Sequence, residues 1–325
     1  MYLKRRNYLA LVLIFNLKLD CCIFSYTELS SPNVSHIFQL PDERDLCYCL
    51  YGPGDGQPVL YFHGTPSSRL EPSLPAAYGI DIETLLLQYK VQLIAIDRPG
   101  MGLSTFNPSG DFISFAQDVN LLLQHLKIKQ CKVMCWSGGG PFALAIADQF
   151  KEMIQAVFII TAFTVSFSSD SVFSKMHRNK FYFGAARYIP SVSRILMNLV
   201  SRKKPSKPIP QIISKLPAAD HQLITNVKTL RHVSATTLQE GCRNGSKGAV
   251  YEAQLYFKDY GYHLKDIQQP VHFWWGNEDN VVIRLHAEAV EQQVANHTMH
   301  YKQNEGHLSI YFHYIEEVLE TISKC

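Results

Sequence analysis

The sequence predicts an α/β fold: a doubly wound, mostly parallel sheet flanked by helices, with a helical cap inserted late in the chain. Three observations carry this. Apolar runs at 59–62, 91–96, 131–136 and 156–160, interrupted only by Gln92 and Lys132, read as short strands buried on both faces. Stretches of helical period separate them, as parallel strands require. One run also stops abruptly at a serine followed by three glycines, Ser137-Gly138-Gly139-Gly140, before a helix begins.

In chain order, residues 1–32 read as an extension. Lys4, Arg5 and Arg6 precede an apolar run over 8–15. That run is shorter than the ~20 residues of a membrane span, so no stable span is expected. A basic start and a short apolar run also suit an export signal or tether through residues 1–25, although no small-x-small cleavage site follows. The first part of the core is expected over 33–162. Strands at 36–40 and 46–51 flank a Pro41-Asp42 turn. The strand at 59–62 ends in His63-Gly64-Thr65-Pro66. A loop and then a helix ending near Tyr89 lead to the strand at 91–96. That strand runs into Asp97-Arg98-Pro99-Gly100-Met101-Gly102-Leu103-Ser104. Ser114 is expected to cap a helix over 115–126, with Phe115, Val119, Leu122, Leu123 and Leu126 on its buried face.

The strand at 131–136, Ser137, and a helix over 139–150 with the stripe Phe142, Ile146, Phe150 come next. A serine on so sharp a turn has its hydroxyl thrust out, and the glycines tolerate the unusual backbone angles. After the strand at 156–160 the pattern changes. Residues 163–247 lack buried strands and carry aromatic helical stretches, the expected cap. Its basic, proline-broken stretch Arg202-Lys203-Lys204-Pro205-Ser206-Lys207-Pro208 reads as a solvated loop. The core resumes over 248–325. It comprises a helix near 249–257, a strand at 270–275 ending in Gly276-Asn277-Glu278-Asp279, a helix at 286–294 and a strand at 298–301. Asn304-Glu305-Gly306-His307 and a terminal helix with Ile315, Val318, Leu319 and Ile322 on one face close the chain.

Together these motifs resemble the α/β-hydrolase family. Cys135-Trp136-Ser137-Gly138-Gly139 is similar to its G-x-S-x-G nucleophile elbow, with cysteine for the first glycine. His63-Gly64-Thr65-Pro66 resembles its oxyanion loop, and Asp97-Arg98-Pro99-Gly100-Met101-Gly102 its glycine-rich turn beside the site. Alone, His-Gly-Thr-Pro also reads as a turn closing a strand, and Asp97 with Arg98 as a salt-bridged structural pair. The order Ser137, Asp279, His307 is the family's order.

The resemblance implies a nucleophile at Ser137, a base at His307 and an acid at Asp279, with Glu278 as the competing acid. It implies oxyanion donors at the amides of Thr65 and Gly138, and His63 as a brace for its loop. The expected activity is hydrolysis of a small-molecule carboxylic ester through an acyl-enzyme, without metal or organic cofactor. Amidase, peptidase, thioesterase or carbon–carbon hydrolase chemistry uses the same residues. A non-catalytic binding protein on this fold is the reading from another class.

Composition bounds the partners. Of 325 residues, 46% are hydrophobic and the net charge is +3, which describes a large globular core and does not suggest nucleic acid. The eight cysteines are scattered without paired C-x-x-C spacing, so no zinc site is expected and buried free thiols are. Free thiols favour a reducing, cytoplasmic setting. The substrate's acyl group and the oligomeric state are not written in the sequence.

Overall fold

Alternating faces organise this molecule. In strand β3 (Gln57–Phe62), Val59 and Tyr61 point to one side of the sheet and Leu60 and Phe62 to the other, and all four are buried. The structure is a computed structural model that describes residues 34–168, 170–176, 179–203 and 216–325. The expected signal or extension at 1–32 lies outside these residues, as does most of the basic loop after Lys203.

Eight strands form one sheet: β1 (Ser35–Gln39), β2 (Asp45–Tyr51), β3, β4 (Val91–Ile96), β5 (Cys131–Ser137), β6 (Ile154–Ala162), β7 (Val271–Gly276) and β8 (His297–Lys302). Their order is β1-β2-β4-β3-β5-β6-β7-β8. β2 pairs antiparallel with β1 and β4, and every other pair is parallel. The chain leaves β3 for β4 on one side, then returns to place β5 on the other. The carboxyl ends of β3 and β5 therefore flank the switch point, where open α/β sheets leave a crevice.

Helices α1 (Ile82–Tyr89), α2 (Phe112–His125) and α3 (Gly140–Gln149) cross between these strands. The α2 helix starts earlier than expected. Asp111, not Ser114, is its N-cap. The Asp111 side chain accepts from the Ser114 amide at 2.7 Å, and Ser114 Oγ accepts from the Asp111 amide at 2.8 Å. This reciprocal box satisfies two orphan donors, which a serine cap at 114 would leave to water. The expected α3 stripe is also too narrow. Residues 140–147 are all buried, because the helix is covered by the sheet on one side and α2 on another. Leu60, Phe62, Ile94 and Ile96 pack with α2 and α3. Tyr61, Leu93, Ala95 and Trp136 pack on the other face with α1 and the terminal helix.

Between β6 and β7 the described residues hold no strand. They form α4 (Asp170–Lys175), α5 (Asn179–Tyr188), α6 (Pro190–Ser201), α7 (Ala218–Ile224), α8 (Val227–Ser234) and α9 (Lys247–Leu255). Helices α10 (Leu285–Gln293) and α11 (Ser309–Lys324) follow β7 and β8. Cys47, Cys49, Cys131, Cys135 and Cys242 are buried free thiols, whereas Cys325 is exposed at the end of α11, contrary to the expectation for thiols in general. Among the described residues, no helix is long and apolar enough to cross a membrane.

Candidate active site

Ser137 is the last residue of β5 and adopts φ of 54°, a left-handed angle unusual for a residue with a side chain. The glycine two positions on permits the turn. A Cβ on Gly139 would lie 2.2 Å from the Phe62 carbonyl oxygen and 3.1 Å from the Cys135 Cβ. The helix thus crosses β3 and β5 too closely for any side chain at 139. With that room given, cysteine at 135 is accommodated.

Three of the expected residues converge. His307 Nε2 is 2.9 Å from Ser137 Oγ, and His307 Nδ1 is 2.8 Å from Asp279 Oδ2. All three are buried, each about 7% exposed. Glu278, the competing acid, is exposed. Asp279 is held on both oxygens. Oδ1 accepts from the amides of Val281 at 2.7 Å and Val282 at 2.9 Å, and Oδ2 accepts from the Thr161 hydroxyl at 2.5 Å. Burial alone would lower the His307 pKa. The Asp279 charge and hydrogen bond, helped by Asp220 and Glu71, outweigh it and leave the imidazole more basic than usual. The ring also stacks on Trp136, with centroids 5.3 Å apart.

Among the described residues, the Thr65 and Gly138 amides donate to no protein acceptor. Both are aimed from behind. A trans peptide points its C=O and N–H in opposite directions. The Gly64 oxygen accepts from Arg98 Nη2 at 2.8 Å and from His63 Nδ1 at 2.7 Å, which turns the Thr65 N–H the other way. The Ser137 oxygen accepts from the Phe163 amide at 3.0 Å, which does the same for the Gly138 N–H. His63 is a brace. Its Nε2 accepts from the Arg98 amide at 3.3 Å, so Nδ1 carries the proton. Burial and the Arg98 charge keep this ring neutral.

Residues 57–314 match the family described as alpha/beta hydrolase fold. The chain belongs to the α/β-hydrolase family. A serine hydrolase-like protein of Danio rerio is 29% identical over 122 residues, which is 35% of this chain and 33% of that relative, so the match spans about a third of the relative's length. An esterase (EaEST) from Exiguobacterium antarcticum superposes with a TM-score of 0.62 at 18% identity, over 89% of this chain and 97% of that one. A bromoperoxidase from Bacillus anthracis gives 0.65 at 15%, over 90% of this chain and 100% of its own. At such identities these structures share the fold.

In this α/β-hydrolase, Asp97 and Arg98 do not pair with each other as expected. Adjacent residues leave a strand end on opposite sides. Asp97 therefore meets Arg69 at 2.8 Å, and Arg98 meets Glu252 at 2.5 Å. The sequence reading missed these partners. It also missed Tyr256, whose hydroxyl lies 2.7 Å from Glu252 Oε1 and 2.9 Å from the Gly138 oxygen. Glu252 on α9 thus braces both sides of the crevice, through Arg98 and through Tyr256. Glu71 receives the Gly64 amide at 2.8 Å and the Tyr61 hydroxyl at 2.7 Å, and burial pushes its carboxyl up to about 7. Asp220 on α7 accepts the amides of His307 at 2.9 Å, Leu308 at 3.0 Å and Ser309 at 2.8 Å, capping α11 from a distant helix. A Cβ on Gly306 would lie 2.5 Å from that carboxylate, which explains the glycine before His307. Asp220 and Glu252 are polar residues on short helices. Their only signal was a buried-looking helical position carrying a carboxylate.

Proposed function

We propose that this chain is a serine hydrolase that cleaves a small-molecule carboxylic ester through an acyl-enzyme. The observation that carries the reading is the hydrogen-bonded series Ser137 Oγ, His307, Asp279, set beside two unpartnered amides. His307 Nε2 takes the Ser137 proton as Oγ attacks the ester carbonyl. The carbonyl oxygen gains negative charge and accepts from the Thr65 and Gly138 amides, each worth about 3–4 kcal/mol in comparable sites. His307 then protonates the leaving alcohol. Water, deprotonated by the same imidazole, attacks the acyl-enzyme, and Ser137 leaves with the proton returned. Asp279 fixes the Nδ1–H tautomer and stabilises the imidazolium. The helices between β6 and β7 act as a cap over the crevice and choose the acyl group.

The test is labelling by a fluorophosphonate, with the adduct located by peptide mass. Adduct at Ser137 that is absent from His307→Ala is expected, together with turnover of a p-nitrophenyl ester. Folded protein that takes no label and turns over no ester would sink the reading and favour a binding role.

A further inference from the structure

Among the described residues, six of the nine exposed large hydrophobic side chains lie within residues 181–199: Phe181, Tyr188, Ile189, Val192, Ile195 and Leu199. On α6, Val192, Ile195 and Leu199 recur at i, i+3 and i+7, so they share one face. That face points to solvent, with Ile195 61% exposed. The opposite face packs on the protein through Met197, which meets the buried cluster of Met101, Cys242 and Ala249, and through small polar residues. Ser193 and Ser201 are buried, Asn198 Oδ1 accepts the Ser246 amide at 2.8 Å, and Ser246 Oγ donates to the Arg194 carbonyl at 2.9 Å. The helix is anchored by this inner contact and still leaves an aliphatic stripe in solvent, which core packing does not require.

Charge says what it faces. Between Asp170 and Asp220 the sequence has ten lysines and arginines and no aspartate or glutamate. The remainder of the chain carries 21 basic against 28 acidic residues. Lys180, Arg187, Arg194 and Arg202, all exposed, lie on or beside the same two helices. A second copy of the chain would set this basic face against itself. The 1–33 segment begins Lys4-Arg5-Arg6 and is like-charged too. An aliphatic stripe rimmed by cations matches an anionic lipid surface, where apolar side chains enter the acyl boundary and cations meet headgroups. Arg202 and Lys203, the described start of the basic stretch read from sequence as a thin solvated patch, lie at one end of this larger face.

We infer that α5 and α6 form a docking face for the surface of an anionic lipid bilayer. The inference does not depend on turnover at Ser137. It does fix the geometry of access, because Phe183 on α5 packs at 5.7 Å on Tyr256, which holds the Gly138 carbonyl.

The experiment is flotation of the full chain with vesicles of phosphatidylcholine, with and without phosphatidylserine. Partition is expected to rise at least about tenfold with phosphatidylserine and to fall on raising salt from about 0.1 M to about 0.5 M. The pair Ile195→Asp with Leu199→Asp, and separately Arg187→Glu with Arg194→Glu, should each lower partition about tenfold or more, with the melting temperature unchanged. Ile195→Trp supplies an independent readout: the fluorescence of the introduced indole should be quenched by brominated lipid. Three results would overturn the proposal. The first is partition indifferent to phosphatidylserine. The second is partition unchanged in both paired variants with the Ile195→Trp fluorescence unquenched, which would assign binding to another part of the chain. The third is no vesicle binding but a dimer by light scattering that the paired Ile195→Asp and Leu199→Asp variant abolishes, which would make the occupant a second copy.

Discussion

The crevice at the ends of β3 and β5 and the outer face of α6 break the usual rule of burial in opposite directions. At the crevice, Asp97, Arg98, Glu252 and Asp220 are charged side chains taken out of water. Each is compensated, by an ion pair or by amides, as burial of charge demands. On α6, aliphatic side chains are left about half exposed or more among the described residues. The first region is closed upon itself, so its polar groups define geometry. The second is open, so its apolar groups define a surface for something else. Substitution should therefore be costly to turnover in the first and nearly silent there in the second.

The largest expected effect is at Ser137, the proposed nucleophile. Ser137→Ala should lower kcat on the order of 10⁶-fold with little change in melting temperature, measured with a chromogenic ester. Asp279→Asn should follow at about 10⁴-fold, while Glu278→Gln stays at wild-type rate; equal losses in the two would remove Asp279 from its role. The pH profile sharpens the same point. His307 must be neutral to accept the serine proton, and its pKa is raised above 6.5. The acid limb of kcat/KM should therefore have its midpoint above pH 6.5, and a midpoint below that value would contradict the Asp279 and His307 coupling.

A third effect is at the brace. Glu252→Gln leaves the Arg98 charge buried without its partner, so a loss of about 3–5 kcal/mol in stability is expected in a denaturant titration. In the fraction that folds, kcat should fall by about 10²-fold with KM little changed, because the misplaced groups serve the transition state. The smallest effect is expected on the open face. Ile195→Ser should leave turnover of a soluble ester unchanged and alter stability by no more than about 0.5 kcal/mol. A large loss there would mean that α6 supports the crevice and that the two regions are not separate.

Strand ends were legible because backbone geometry forces residue types there. A left-handed serine, a helix crossing so closely that a Cβ would sit 2.2 Å from a carbonyl oxygen and a loop against a carboxylate each demand glycine nearby, and the glycines are visible in the sequence. Asp279 and His307 were legible through the family resemblance, each standing on the loop after one of the last two strands. The braces were not legible. Asp220 lies 87 residues from His307, Thr161 lies 118 from Asp279 and Arg98 lies 154 from Glu252. No local pattern links such pairs; only the folded chain brings them together. The outward face of α6 escaped notice for a different reason. Helical periodicity reports that a helix has two faces, but not which of them meets the protein.

Asp220 has a further consequence for anyone who treats the helices between β6 and β7 as an interchangeable module. The loop bearing His307 gives three of its amide hydrogen bonds to a carboxylate on that module. A chimera carrying a foreign insert would keep Ser137, yet the His307 imidazole would lose its mooring. Only a graft that supplies an acceptor where Asp220 stands would inherit a competent base along with the new pocket.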